Sequence, residues 1–579
     1  MKRLIVCLCL LIPAITYCQI IHVPGTYPTI QQGIDAAEES DTILVDVGTY
    51  HENIVISGKR IVVGSKFLIT GDTSYISQTI INGTQQGSVV TFGPEEILDT
   101  QFSGFTITNG SGNTGGMGGG ILLTAARPIL TNLVISSNSA NRGGGISNVN
   151  SSTLNLSHSR IINNSASLKG GGIYSHISNL FVNDCEFIQN NATSQGGGAI
   201  IFEVSENYDH TLHVQIRSSS FIQNICSQNA SGGVSIKQTG EANEIVVKIS
   251  GCTFEENLSK GNNSLLISGA QARVDIQNCS FTNNEAEQYC AGAAFLQNAH
   301  GRVVGSLFAN NRAATGGGDW NSGGATVWGG AQIDFINCAF IENEASYGAG
   351  LTVGGGGTAN LGNCIFWGNT NDQIALVDFN DIGGNIDIGF SNIQYGIDSI
   401  SVTPNSYLFW GEENMDVDPL FVGEGDHPYS LDKHSPCIDA GTPDTNSLNL
   451  PQYDLIGNWR VWDGDSNGVA IIDMGPYEYG PSLLGIDPTE IDKPTLSCLT
   501  VYPNPFSSST TIEYKLAHPA KVIIIFYNQL GRQVEIIEAY QLKGLQKMVW
   551  APANLSDGIY FYRFKAGEQM ASGKLVLKR

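Results

Sequence analysis

Charge is scarce in this chain, and basic charge scarcest of all. Of 579 residues, 29 are Lys or Arg and 53 are Asp or Glu, so charged residues are 14% of the whole. The net charge is −24, with +5 in the last 80 residues and +2 from Lys2 and Arg3, so the body between carries −31. Such a body repels nucleic acid, and it repels acidic polysaccharide unless a cation bridges the two. Helical periodicity is also nearly absent. It is clear only in "TIQQGIDAAEES" (29–40), where Ile30, Ile34 and Ala37 share a face. Past the N-terminus no stretch is long and apolar enough for a membrane helix. Zinc is disfavoured too, since no C-x-x-C pair occurs and the ten His are scattered. So long a chain with 69 Gly and little helix suits a repeat of short strands and tight turns.

What is present is that repeat. It reads "VISSNSANRGGGI", "RIINNSASLKGGGI", "EFIQNNATSQGGGAI", "LFANNRAATGGGDW" and "AFIENEASYGAGL". An Asn recurs at Asn138, Asn164, Asn190, Asn224, Asn257, Asn284, Asn311, Asn343 and Asn369, at spacings of 26 to 34. Such periods fit coils of a β-solenoid made of two or three short strands, with loop insertions in the longer ones. At about 4.8 Å per coil, roughly a dozen coils make a rod near 60 Å, wound right-handed by default. Three residues before the Asn stand Phe187, Phe221, Phe254, Phe281, Phe308, Phe340 and Phe366. Two earlier stand Cys185, Cys252, Cys279, Cys338 and Cys364, replaced elsewhere by Ser159, Ser219 and Ser306. The period of two predicts both rows inward, with the Cys as small core residues rather than disulfides or metal ligands. The Asn row is expected to cap strand ends in left-handed conformation, and the Gly triplets to turn the chain.

The two ends carry family words. Residues 1–19, "MKRLIVCLCLLIPAITYCQ", read as a secretory signal peptide. Tyr17 before Cys18 is a poor lipobox. The words "YPTIQQGIDAA", "DTILVDVGTYHENIVI" and "KRIVVGS" resemble the opening of right-handed parallel β-helix proteins of the pectin-esterase-like and pectate-lyase-like families. There a helix caps the open end of the core, covering backbone groups that would otherwise be unpaired. The repeat itself resembles that of chlamydial polymorphic outer-membrane proteins, which implies a surface-exposed β-helix associated with adhesion. No autotransporter barrel follows it here. In residues 414–480, "VDPLF", "YSLDKHSPCIDAG" and "DMGPYEYG" resemble a segment that closes many bacterial surface β-helices and is named for a variable choice of anchor. It is expected as the far-end cap. Residues 481–499 read as a linker.

Residues 500–579 alternate strands and turns as a small Ig-like β-sandwich does. They resemble the type A C-terminal sorting domain of the Bacteroidetes type IX secretion system, with matching positions Pro503, Asn504, Pro505, Gly531, Gly558, Tyr560 and Lys574. The resemblance implies recognition by the type IX machinery and attachment to surface lipopolysaccharide. The fold expected is therefore all-β, a parallel β-helix over 20–413 followed by a small sandwich.

Candidate chemistry is sparse. Asp463, Asp465, Asn467 and Gly468 in "DGDSNG" match the start of a calcium loop, but Met474 stands where a bidentate Glu is wanted, with Asp473 beside it. Calcium is thus the one cofactor suggested. Lys248, Asp275, Arg302, Asp334 and Asn360 fall on one row of alternating charge. Asp275, Arg302 and Asp334 are the candidates for lyase or hydrolase chemistry, against a plain ion-pair ladder on the surface. Trp320, Trp328 and Trp367 could stack on sugar rings or pack under loops. None of the catalytic words of pectin methylesterases, polygalacturonases or pectate lyases occurs. The favoured reading is a secreted, cell-surface rod that binds glycans or another surface without turnover. A polysaccharide lyase or hydrolase and a purely structural matrix component are the alternatives.

Overall fold

The computed structural model describes residues 18–94, 100–205, 208, 210–228, 231–239, 244–261, 263–314, 321–411, 413–446, 448–480, 499–516, 520–528, 533–541, 544–552, 555–566 and 569–578. The signal peptide up to Tyr17 and nearly all of the linker lie outside them, as do Trp320 and Gly531. Two compact units divide between Tyr479 and Gly480.

The first unit is a parallel β-helix. Among the described residues its strands stack into sheets of 26, 13 and 7 members, and every named strand pair in them is parallel. The predicted rows are ladders. Phe187, Phe221, Phe254, Phe281, Phe308, Phe340 and Phe366 pair in turn. Their fully buried rings stack at 4.4 to 4.9 Å, which is the spacing of the coils. Each stacked pair adds about 0.5–1.5 kcal/mol to the burial of its area. The Cys row is buried beside it, and every described Cys is a free thiol. Burial pushes the Cys185 thiol up to about 12, so it stays protonated and inert.

The Asn row does more than cap. In Asn138 to Asn369, the Oδ1 of each Asn after the first accepts both the backbone N–H and the Nδ2–H of the Asn one coil earlier, at 2.8 to 3.1 Å. The other Nδ2–H donates to a backbone carbonyl of the preceding coil, as in Asn257 to Phe221 O at 2.8 Å. The amide's two donors and two acceptor sites are thus all used inside the core. The left-handed residue is not the Asn, as the sequence suggested, but the one before it: Asn163, Gln189, Gln223, Glu256, Asn283, Asn310 and Glu342 have φ of 51° to 56°, and Gly368 follows in the last coil. That corner swings the next side chain inward, where only an amide matches the facing groups. In the Gly runs, Gly143 takes φ +65°, while a Cβ on Gly145 would lie 2.6 Å from Gly172 O of the next coil. The runs therefore serve close coil stacking as well as turning.

The N-terminal helix is shorter than its sequence pattern, Ile30–Ala36. Ala37 leaves the helix in extended conformation yet stays buried with Ile30 and Ile34 over the first coil. The Glu52 carboxylate accepts the N–H groups of Ile30 and Gln31 at 2.9 and 3.0 Å. At the other end, Leu408 and Trp410 of strand Tyr407–Trp410 pack against the core.

Residues 414–480 do not form the expected far-end cap. They fold back along the flank of the rod as far as Asn278. The reason is legible in the outward positions beside the Phe row. Ser220, Thr253 and Ser280 give way there to Leu307, Ala339 and Ile365, and these bury with Leu431, Cys437, Met474 and Tyr477. An apolar outer row in three neighbouring coils demands a cover.

The second unit has two antiparallel sheets. One joins Leu499–Tyr502, Thr510–Leu516 and Gly544–Trp550, so the first strand begins inside the predicted linker. The other joins Gln533–Gln541, Ala520–Tyr527, Gly558–Ala566 and Gln569–Leu577. Phe506, Tyr514, Phe526, Trp550 and Phe564 are buried in its core.

Candidate functional site

The covered flank is where the chain's unusual side chains meet. The charged row is real: Lys248, Asp275, Arg302, Asp334 and Asn360 pair in succession. From Asp275 to Asn360, however, its members are engaged with one another or with the closing segment. Arg302 Nε donates to Asp275 Oδ1 at 3.0 Å, and its Nη1 donates to the carbonyls of Leu448 and Asn449, each at 3.0 Å. Asp275 also accepts from Gln277, and Asp334 accepts from Asn360 Nδ2 at 2.7 Å. The guanidinium is a clamp on the loop that crosses it.

A second set of anchors escaped the reading of the sequence. The residue before each Cys or Ser of the inner row also sits at left-handed φ: His158, Asp184, Ser218, Gly251, Asn278, Gly305, Asn337 and Asn363. In the covered coils this place holds Asn or Gly. Asn278 Nδ2 donates to the carbonyls of Tyr453 and Asp454, both at 3.0 Å, and Asn337 Nδ2 donates to that of Asp473 at 2.7 Å. Asn363 Oδ1 accepts the Thr442 N–H at 2.8 Å. At Gly305 a Cβ would come within 2.6 Å of Arg460 Nη2. The signal was the dipeptide Asn-Cys in "IQNCSF", "FINCAF" and "LGNCIF".

Arg460 is 2% exposed and donates to the carbonyls of Gly475 and Pro476. Asp454, Asp473 and Glu478 are buried around it, their oxygens accepting backbone N–H groups of Asn458, Tyr479 and Trp462. Burial first, and the Asp473 charge second, push Glu478 up to about 10.

Outside this knot the segment opens into a depression of about 390 Å³, lined by Thr445, Asn449, Gln452, Trp459 and Arg460, with Leu450, Pro451 and Val461 among its walls. The Trp459 ring is held against Tyr453 at 5.1 Å. The sugar-stacking candidates lie elsewhere. Trp328 is only 9% exposed and packs with Val377 and Phe379, so the stacking reading does not fit it. Trp367 is partly buried in the apolar cluster beneath the closing segment.

The calcium-type loop is formed. Asp463 accepts from the N–H groups of Asn467 and Gly468, and Asp465 from that of Asn467. Asp439, 24 residues before Asp463, reaches the same place, its Oδ2 accepting the Asp465 N–H at 2.7 Å. Ligand oxygens of Asp439, Asp463 and Asp465 lie within 4.8 Å of one another. Met474 and Asp473 are instead buried in the flank. An all-oxygen donor set fits a hard cation such as Ca²⁺.

In the second unit, Asn504 ties the Pro-Asn-Pro turn to the final strand. Its Nδ2 donates to Lys574 O at 2.7 Å and its Oδ1 accepts the Val576 N–H at 2.8 Å. The Pro503 carbonyl accepts from Thr510 Oγ1, and Tyr560 OH donates to Ser556 O. Phe506, next to Pro505, is buried. Gly558 opens its strand, and Lys574 stays exposed.

No curated protein matches this chain. Among solved structures, one similar chain is the catalytic unit of a thermostable GH87 alpha-1,3-glucanase from Streptomyces thermodiastaticus strain HF3-3. It is 12% identical, the match covers 67% of this chain and 65% of that one, and the TM-score is 0.28. A likeness of that size bears on neither substrate nor activity. Residues 500–578 match the secretion system C-terminal sorting domain, so the protein that carries them is recognised by the type IX secretion machinery and displayed at the cell surface of a Bacteroidetes-type bacterium.

Proposed function

We propose that this protein is a surface rod, held on lipopolysaccharide after sorting, that binds polysaccharide or a host or matrix surface without turning it over. The observation that supports this is the commitment of Arg302. It holds Asp275 and two loop carbonyls at once, which leaves the charged row without a free acid–base pair. Asp439, Asp463 and Asp465 would hold Ca²⁺, which would cross-link two stretches of the closing segment. The test is incubation of the secreted chain with a panel of neutral and uronate-containing polysaccharides. Binding without product is expected. Turnover that disappears in Arg302→Ala or Asp334→Ala would overturn the reading in favour of a lyase or hydrolase.

A further inference from the structure

We infer that the depression lined by Thr445, Asn449, Gln452, Trp459 and Arg460 is a binding site for a neutral saccharide, a deepening that rests on the glycan-binding reading above. Four observations converge on it. First, it offers an aromatic platform fixed in advance. Trp459 is 38% exposed, yet its ring is braced by Tyr453, whose carbonyl is pinned by Asn278 of the rod. A braced indole loses little freedom when a sugar ring stacks on it.

Second, three polar side chains around it have no hydrogen-bond partner among the described residues, whereas the neighbouring Asn446 donates its amide N–H to Asp444. The side-chain amides of Asn449 and Gln452 and the hydroxyl of Thr445 all line the depression, and none makes a hydrogen bond with the described residues. Amides donate and accept at once, which matches sugar hydroxyls better than it matches ions. The backbone beneath them is tied to the rod, because Arg302 holds the carbonyls of Leu448 and Asn449.

Third, a buried donor lacks a partner. Arg460 lines the same depression, is 2% exposed, and its Nε–H meets no acceptor. A buried unpaired donor is costly, and a small shift of the guanidinium toward a ligand oxygen in the depression would relieve it.

Fourth, the electrostatics select against acidic sugars. The single guanidinium at the depression, Arg460, is already matched by the buried carboxylate of Asp454, and the chain's body is strongly acidic. A uronate entering there would face repulsion. The volume, about 390 Å³, is at the small end of ligand pockets, which suits a short stretch of chain or its end rather than a long groove.

The test uses the full secreted chain against neutral gluco-, manno- and galacto-oligosaccharides, with oligouronates as the acidic arm, read by calorimetry. Trp459→Ala is expected to weaken a neutral oligosaccharide at least about tenfold, and Gln452→Ala by about threefold to tenfold. Both positions are exposed, so unchanged thermal unfolding is expected and shows that the loss is local. Neutral binding that survives both substitutions would overturn this site while leaving the glycan-binding reading intact. Binding of none of the saccharides would overturn both. Preferential binding of oligouronates would overturn the electrostatic argument and with it the assignment to a neutral sugar.

Discussion

Replacing Asn257 by Ala tests the amide ladder where it is deepest. Asn257 Oδ1 accepts two bonds from Asn224, and its Nδ2 donates to Phe221 O and Asn284 Oδ1, all between 2.8 and 3.0 Å. Truncation orphans two donors of Asn224 outright and weakens two acceptors. At about 1–3 kcal/mol for each buried donor left unpaired, the local cost is about 3–5 kcal/mol. Asn257→Asp should cost more than Ala at neutral pH. Its second oxygen would face Phe221 O and Asn284 Oδ1, acceptor against acceptor, in a buried place. Glu256→Gly is the control. Glu256 sits at φ +51°, where Gly loses nothing sterically, so little change or a slight gain is expected. Hydrogen exchange followed at the amides of Asn224 and Asn257 reads the effect coil by coil, which suits a repeat whose ends can open separately. Exchange about 10² to 10⁴ times faster is expected in Asn257→Ala, since each 1.4 kcal/mol is a factor of ten. Protection within about threefold of wild type, or an Asp variant no worse than Ala, would refute the view that the full set of amide bonds holds the corner.

Three further outcomes follow from the closing segment. Glu478 has a folded pKa raised to about 10 against an ordinary 4.5, so its contribution to stability is full below the ordinary value and is lost as pH rises toward 10. Denaturant unfolding should show the segment weakening from pH 6 to 10, and Glu478→Gln should flatten that slope; an unchanged slope would count against it. Adding Ca²⁺ at a hundredfold excess over its dissociation constant should stabilise the segment by about 2.7 kcal/mol in wild type, and Asp439→Asn should remove most of that gain. An equal gain in the variant would sink the proposed ligand set. Gly305→Ala forces a Cβ into a φ of +60° and against Arg460, so limited proteolysis within 442–475 should quicken, reflecting a loss of at least about 1–2 kcal/mol. Unchanged cleavage would mean that the guanidinium simply moves aside.

Much of this protein was legible because a solenoid repeats its own rules. Phe, Cys and Asn recur at fixed offsets, and stacked coils turn such offsets into ladders of contact. The inward rows, the capping helix and the sorting words at the C-terminus needed no tertiary information beyond that. Trp328 shows where such reading fails. An aromatic out of pattern can be a platform or a plug, and only Val377 and Phe379, packed against it, decide.

The sequence by itself determined the β-helix, its core rows and its destination, because those rest on local periodicity and on words contained in one stretch of chain. Only the tertiary structure decided what residues 414–480 do. Their place depends on pairings between residues far apart in sequence: Asn278 with Tyr453, Arg302 with Leu448, Asn337 with Asp473 and Asp439 with Asp465. No periodicity records such pairings, and they are what turned an expected end cap into a covered flank with a depression of its own.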